Sequence, residues 1–190
     1  MAEKNKKRGG RRAHLNDFHV NLAGDYVYTG AHYSYVDQGR SRDRVQRELL
    51  GLSVAVMLAV VAGGCSDAPA MLNCWYVILP YICEAAAAVS VIWALLRLRK
   101  AEEPIREYIY KKSVQALPHR AMLCMIFAGL GFVTMVLYLV MNGSGGRVAS
   151  VIAYLALKAL VAGGAWLLWR YMLTLKWEKL PARDLDTPQA

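Results

Sequence analysis

The chain has 190 residues, 56% of them hydrophobic, which is enough for one modest domain and too apolar for an ordinary soluble one. Its formal net charge of +9 comes from basic residues that flank apolar runs, a pattern that membrane orientation explains and that argues against a nucleic-acid partner. Four cysteines with no CxxC pair argue against a zinc-stabilised domain, and no ATP-binding loop, nucleophile elbow, HExxH motif or kinase signature marks catalytic residues or a cofactor site.

Residues 1–47 read as a cytoplasmic segment. Its first part, 1–13, is a basic, glycine-containing arm, too polar to bury a core and suited to lying against anionic headgroups. Beyond it, Tyr26 with Tyr28 and Tyr33 with Tyr35 form two alternating runs split by Thr29 to His32, which predicts a small hairpin or an extended segment. A lone two-stranded hairpin is marginal in water, so these four tyrosines are expected to pack on the end of the bundle or to dock a protein partner. His14, His19 and His32, with Asp17 and Asp25, have metal-ligating chemistry, but no helix register gathers the three histidines and no metal is expected. Arg40 to Glu48 mixes charges at helical spacing and leads into the first apolar run.

Four stretches approach the roughly 20 apolar residues that a helix needs to cross the bilayer hydrocarbon. They lie at 48–66, 72–96, 121–141 and 148–175, joined by short turns and by a longer loop over 97–120. The first follows a long polar stretch, so it reads as a retained span rather than a cleaved leader. In the loop, Glu102, Glu103 and Pro104 suit a helix start, and Ile105, Tyr108 and Ile109 share one face beside Lys111 and Lys112. That pattern fits a short amphipathic helix on the inner leaflet and, equally, an ordinary cytoplasmic connector. Residues 176–190 form a cytoplasmic tail.

Lys and Arg number 10 before the first span, none between the first and second, 7 between the second and third, 1 before the fourth, and 4 from Arg170 onward. This alternation predicts both termini in the cytoplasm of a four-span protein in the plasma membrane. Trp75 and Tyr76 at one edge, and Trp169, Tyr171 and Trp177 at the other, fit the interfacial belts.

Two charges fall inside the spans, Glu84 in the second and Lys158 in the fourth, and buried charges in lipid are costly enough to imply a partner. Glu84 lies twelve residues past Leu72 and Lys158 ten past Val148, so both sit about 15 to 18 Å below the outer face. They are expected to pair, which predicts that the second and fourth helices are neighbours, with Pro80, Tyr81 and Tyr154 close by. Ala159 with Gly163, and Gly129 with Gly131, predict close helix packing within the bundle or between copies. Cys65 and Cys74 flank an outer turn, where an oxidising exterior would permit a disulfide.

The expected fold is therefore an all-α membrane protein, a small bundle of four transmembrane helices with N- and C-termini inside. The expected function is that of a non-enzymatic accessory, scaffold or regulatory subunit of a membrane assembly, with the lipid bilayer, a protein partner or a homo-oligomer as its contacts. The alternative is a small oligomeric transporter or channel subunit using Glu84, because an intramembrane carboxylate one turn from a proline is a common ingredient of such sites. An embedded enzyme would need polar groups clustered at one depth, and the third span offers only Thr134 and Cys124.

Overall fold

The computed structural model describes residues 18–20, 24, 26–28, 30–37 and 39–180. The basic arm over 1–13, His14, Asp17, Asp25, Thr29 and the tail beyond 180 lie outside the described residues. In chain order the elements are β1 (Phe18–Val20), β2 (Tyr26–Tyr28), β3 (His32–Tyr35), α1 (Arg42–Gly64), α2 (Ala70–Asn73) and α3 (Trp75–Lys100). They continue with β4 (Ile105–Arg106), α4 (Glu107–Ile109), a π-helical turn over Tyr110–Gln115, α5 (Leu117–Asn142), α6 (Val148–Leu173) and β5 (Trp177–Leu180).

Among the described residues, four helices are long and apolar enough to cross a membrane: α1, α3, α6, and the continuous helical stretch Glu107–Asn142 that contains α5. Their ends follow local chemistry. Asp43 sits in the first turn of α1, and Arg97, Arg99 and Lys100 in the last turn of α3, each opposing the partial charge of its helix terminus. Pro118 occupies the first turn of α5, where its missing N–H costs nothing. Gly143 ends α5 at φ 71°, a backbone state open to glycine, and donates its N–H to the Leu139 carbonyl at 2.9 Å.

The inward positions repeat alternately every three and four residues on each long helix. On α6 they are Val151, Tyr154, Lys158, Val161, Ala165, Leu168 and Met172; on α5 they are Leu117, Ala121, Cys124, Ala128, Gly131 and Met135. Leu49, Ser53, Val56, Val60 and Gly63 do the same on α1, and Glu84, Ala88, Val91, Leu95 and Leu98 on α3. This is the heptad seam of a helix bundle. The opposite faces are apolar as well, with Leu58, Leu79, Ile82, Val89, Trp93, Leu123, Leu137, Ile152 and Leu160 exposed. A bundle with apolar residues both inside and out suits lipid as its solvent, whereas water demands a polar outer face.

The four helices close a ring in which α1 packs on α3 and α6, and α5 packs on α3 and α6. The expectation that the second and fourth spans are neighbours is corrected: α3 and α6 stand diagonally across the ring. Equal depth does not imply adjacency, because any order of four helices leaves the depths unchanged.

At one end, three distant segments form a sheet of order β4-β3-β5, with β3 antiparallel to both partners. His32 pairs with Arg106 and Leu180, and Tyr35 with Trp177. β2 pairs separately with β1, Tyr28 opposite Phe18. The two tyrosine runs therefore do not form a hairpin with each other; each finds a different strand. Nor does Pro104 begin a helix, because the chain first adds β4 to the sheet and turns helical at Glu107. Trp177, expected at a lipid interface, is a strand residue of β5.

At the other end, the second span starts at Trp75 rather than Leu72. The chain extends at Cys74 (φ −126°, ψ 109°) and so separates α3 from the short α2. α2 buries Ala70 and Met71 in a second apolar cluster with Ala68, Val77, Met135 and Tyr154. Arg147 pairs with Asp67 at 2.7 Å, joining the two connections at this end. Cys65 and Cys74, where a disulfide would be permitted, stand here as free thiols, with the helical turn of α2 in the chain between them.

Candidate functional site: a buried charge pair

Lys158 sits on the inner seam of α6 and is 2% exposed, while Glu84 faces it from α3 and is fully buried. The ammonium donates a hydrogen bond to Glu84 Oε2. The pair thus forms as expected, but across the centre of the bundle rather than between adjacent helices. Two long side chains can cover that distance where two short ones cannot.

Gly131 on α5 makes the crossing fit, because a Cβ there would stand 3.3 Å from Lys158 Cε. Two rings complete the enclosure. Lys158 Nζ lies 4.9 Å from the Tyr81 ring centroid and 5.1 Å from that of Tyr154, both within cation–π range. Tyr81 extends toward Gly64 at the end of α1, where a Cβ would collide with its hydroxyl. Pro80 belongs to the same turn of α3, which runs unbroken around it.

A desolvated ion pair is stable only when its geometry and additional contacts offset the loss of water. Oε2 is held by Lys158, whereas Glu84 Oε1 and the Tyr154 hydroxyl are buried without a hydrogen-bond partner among the described residues. Below the pair, the interior narrows to a cavity of about 10 Å³ lined by Ser53, Val56, Ala88, Ala121, Cys124 and Ala165 among others. That is room for roughly one water molecule at most.

The tyrosines near the sheet have separate surroundings. Tyr28 is buried, edge-on to Phe18 and to His32, each at 5.2 Å between ring centroids. Tyr33 stacks on Tyr110 at 3.9 Å, and Trp177 meets both Tyr35 and Tyr110 edge-on. Tyr26 is 77% exposed. They therefore do not share one docking face: Tyr28, Tyr33 and Tyr35 build the platform and Tyr26 alone of the four is open. The small residues also divide by face. Gly164 meets Val56 of α1, where a Cβ would lie 2.6 Å from Val56 Cγ2, while Ala159, Gly163 and Gly129 face outward.

Several contributors escape sequence reasoning. Arg42 donates to the carbonyls of Leu98 and Ala101 at 3.1 and 2.6 Å, tying the start of α1 to the end of α3. Arg120 donates to the Ser90 carbonyl at 2.7 Å, tying α5 to α3. The positive charge of these residues suggested orientation only; the free carbonyls at a helix end were the available signal for Arg42. No family model, curated protein or solved structure matches the chain.

Proposed function

We propose that the chain is an integral protein of the plasma membrane, with both termini in the cytoplasm, acting as a non-enzymatic accessory, scaffold or regulatory subunit of a membrane assembly. The observation that carries this reading is the contrast between the two regions. The interior is filled and its charges neutralise each other, while the sheet-bearing end unites three chain segments and leaves Tyr26 and Val20 of the β1–β2 hairpin exposed. A closed interior supports a structural role for the helices, and an exposed aromatic edge supports a protein contact at the sheet-bearing end. The Lys and Arg distribution supports placing that end in the cytoplasm.

Mild-detergent purification at native expression tests this reading. A stoichiometric heterologous partner that is retained by the unaltered chain and lost with Tyr26→Ala, at unchanged stability, supports it. Recovery of a homo-oligomer alone, unaffected by Tyr26→Ala, counts against it.

A second reading, a small oligomeric transporter or channel subunit, draws on Glu84 Oε1 and the Tyr154 hydroxyl, two buried polar atoms without partners among the described residues. Reconstituted vesicles that conduct protons with the unaltered chain, and cease to with Glu84→Gln, would move the assignment there.

A further inference from the structure

At the sheet-bearing end, a groove of about 350 Å³ opens between α1 and α3, lined by Asp43, Gln46, Arg47 and Leu50 of the first and Arg99 of the second. Neighbouring arginines are committed elsewhere: Arg42 to Glu103 and two carbonyls, Arg44 to Glu48 at 2.9 Å. Arg47 and Arg99 are exposed and among the described residues neither has a carboxylate partner; Arg47 spends only its Nε, on the Asp43 carbonyl at 3.3 Å, which leaves its terminal N–H groups for a ligand. Gln46 lines the same groove at 8% exposure, and its Nε2 is buried with no hydrogen-bond partner among the described residues. Two guanidinium groups from two helices and a free amide donor form a set of N–H groups suited to phosphate oxygens.

The height of the groove selects the source of that phosphate. Arg47 and Arg99 stand at the ends of apolar spans, and Leu50 begins the apolar part of α1, so a bound headgroup would carry its acyl chains down along the helix surface. Basic pockets between helices on the cytoplasmic side are characteristic sites for anionic lipid headgroups. Asp43 is the one carboxylate among the described lining residues, and a headgroup hydroxyl gives it a donor to accept from. We propose that this groove binds the phosphate of an anionic phospholipid with a hydroxylated headgroup, of the phosphatidylglycerol class. The inference rests on the membrane reading above.

The test titrates the purified full chain in detergent with phosphatidylglycerol, phosphatidylcholine or inorganic phosphate while thermal unfolding is followed. Phosphatidylglycerol is expected to raise the Tm at roughly thirty-fold lower concentration than phosphatidylcholine, the effect of two interfacial arginines. The double change Arg47→Gln with Arg99→Gln abolishes that preference, and Arg170→Gln on α6 retains it. A preference unaltered in the double variant overturns the site, because the basic end as a whole then suffices. The same shift with inorganic phosphate overturns the lipid assignment. Native mass spectrometry of the unaltered chain needs no variant: preferential retention of phosphatidylglycerol is expected, and equal retention of both lipids overturns the proposal. Recovery of the chain in the soluble fraction without detergent would instead overturn the membrane reading itself.

Discussion

Glu84 and Lys158 meet across the centre of the bundle, from helices that do not pack on one another. The contact therefore ties together the two diagonal members of the ring, while neighbouring helices meet along largely apolar seams with polar ties such as Arg42 to Leu98 and Arg120 to Ser90. Removing one partner leaves a desolvated charge alone in the interior, at a cost of about 3 to 5 kcal/mol. Glu84→Gln and Lys158→Met are each expected to lower stability by that order in chemical unfolding from detergent, and the double variant to recover most of the loss. Equal defects in all three variants would show that the pair does not act as a unit.

The ring of Tyr154 and its hydroxyl have separable effects. The hydroxyl is buried without a partner among the described residues, so Tyr154→Phe is expected to be neutral or slightly stabilising. Tyr154→Leu removes the face beneath the ammonium and is expected to cost about 0.5 to 2 kcal/mol beyond Tyr154→Phe. Thermal unfolding of the two variants side by side makes the comparison. A Tyr154→Phe variant worse than Tyr154→Leu would assign the hydroxyl a role that the geometry does not provide.

Glycines on the long helices divide by what lies beyond them. Gly164→Ala would place a Cβ 2.6 Å from Val56 Cγ2 and Gly131→Ala one 3.3 Å from Lys158 Cε, whereas Gly163→Ala meets nothing within 4 Å. Overpacking costs about 1 to 3 kcal/mol, so Gly164→Ala is expected to be the most destabilising, Gly131→Ala intermediate, and Gly163→Ala harmless to the monomer. A stability loss confined to Gly163→Ala would mean that the outward face of α6 is packed against another chain.

The platform has its own pH signature. Tyr35 donates a hydrogen bond to Asp37 at 3.2 Å, and burial, followed by the nearby Asp37 charge, pushes its phenol above the usual 10.0. A raised folded-state value means that the neutral phenol is favoured in the fold. Its contribution is present in full below pH 10.0 and is lost as pH rises through the folded value. The opening free energy of β3 and β5, from amide exchange corrected for the base-catalysed intrinsic rate at each pH, is expected to stay constant through neutral pH and to fall only in strong alkali, with Tyr35→Phe reducing the alkaline step. A fall in that free energy near neutrality would point to a different group.

The four long helices were legible because lipid imposes a length and composition that no other part of the chain matches. The pairing of Glu84 with Lys158 was legible from depth alone, since two charges at one level in a low-dielectric interior have few alternatives. The ring order was not, because it depends on the side-chain shapes at every seam, including Gly131 and Gly164. The sheet was also hidden. β3 recruits a two-residue strand and a four-residue strand from far along the chain, and neither Ile105–Arg106 nor Trp177–Leu180 carries enough alternation to announce itself. The small pair Ala159 and Gly163 shows the converse: spacing identifies a smooth stripe on a helix but not the direction in which it points.

The placement of the sheet-bearing end in the cytoplasm is tested most directly by a membrane-impermeant maleimide on intact cells. Cys65 is exposed at the end opposite the sheet, and Glu178 is exposed on β5. The unaltered chain is expected to be labelled at Cys65 without permeabilisation. A Glu178→Cys variant carrying Cys65→Ser and Cys74→Ser should be labelled only after it. Labelling of the Glu178→Cys variant in intact cells, with Cys65 protected until permeabilisation, would invert the orientation, and labelling of both from the same side would contradict four spans.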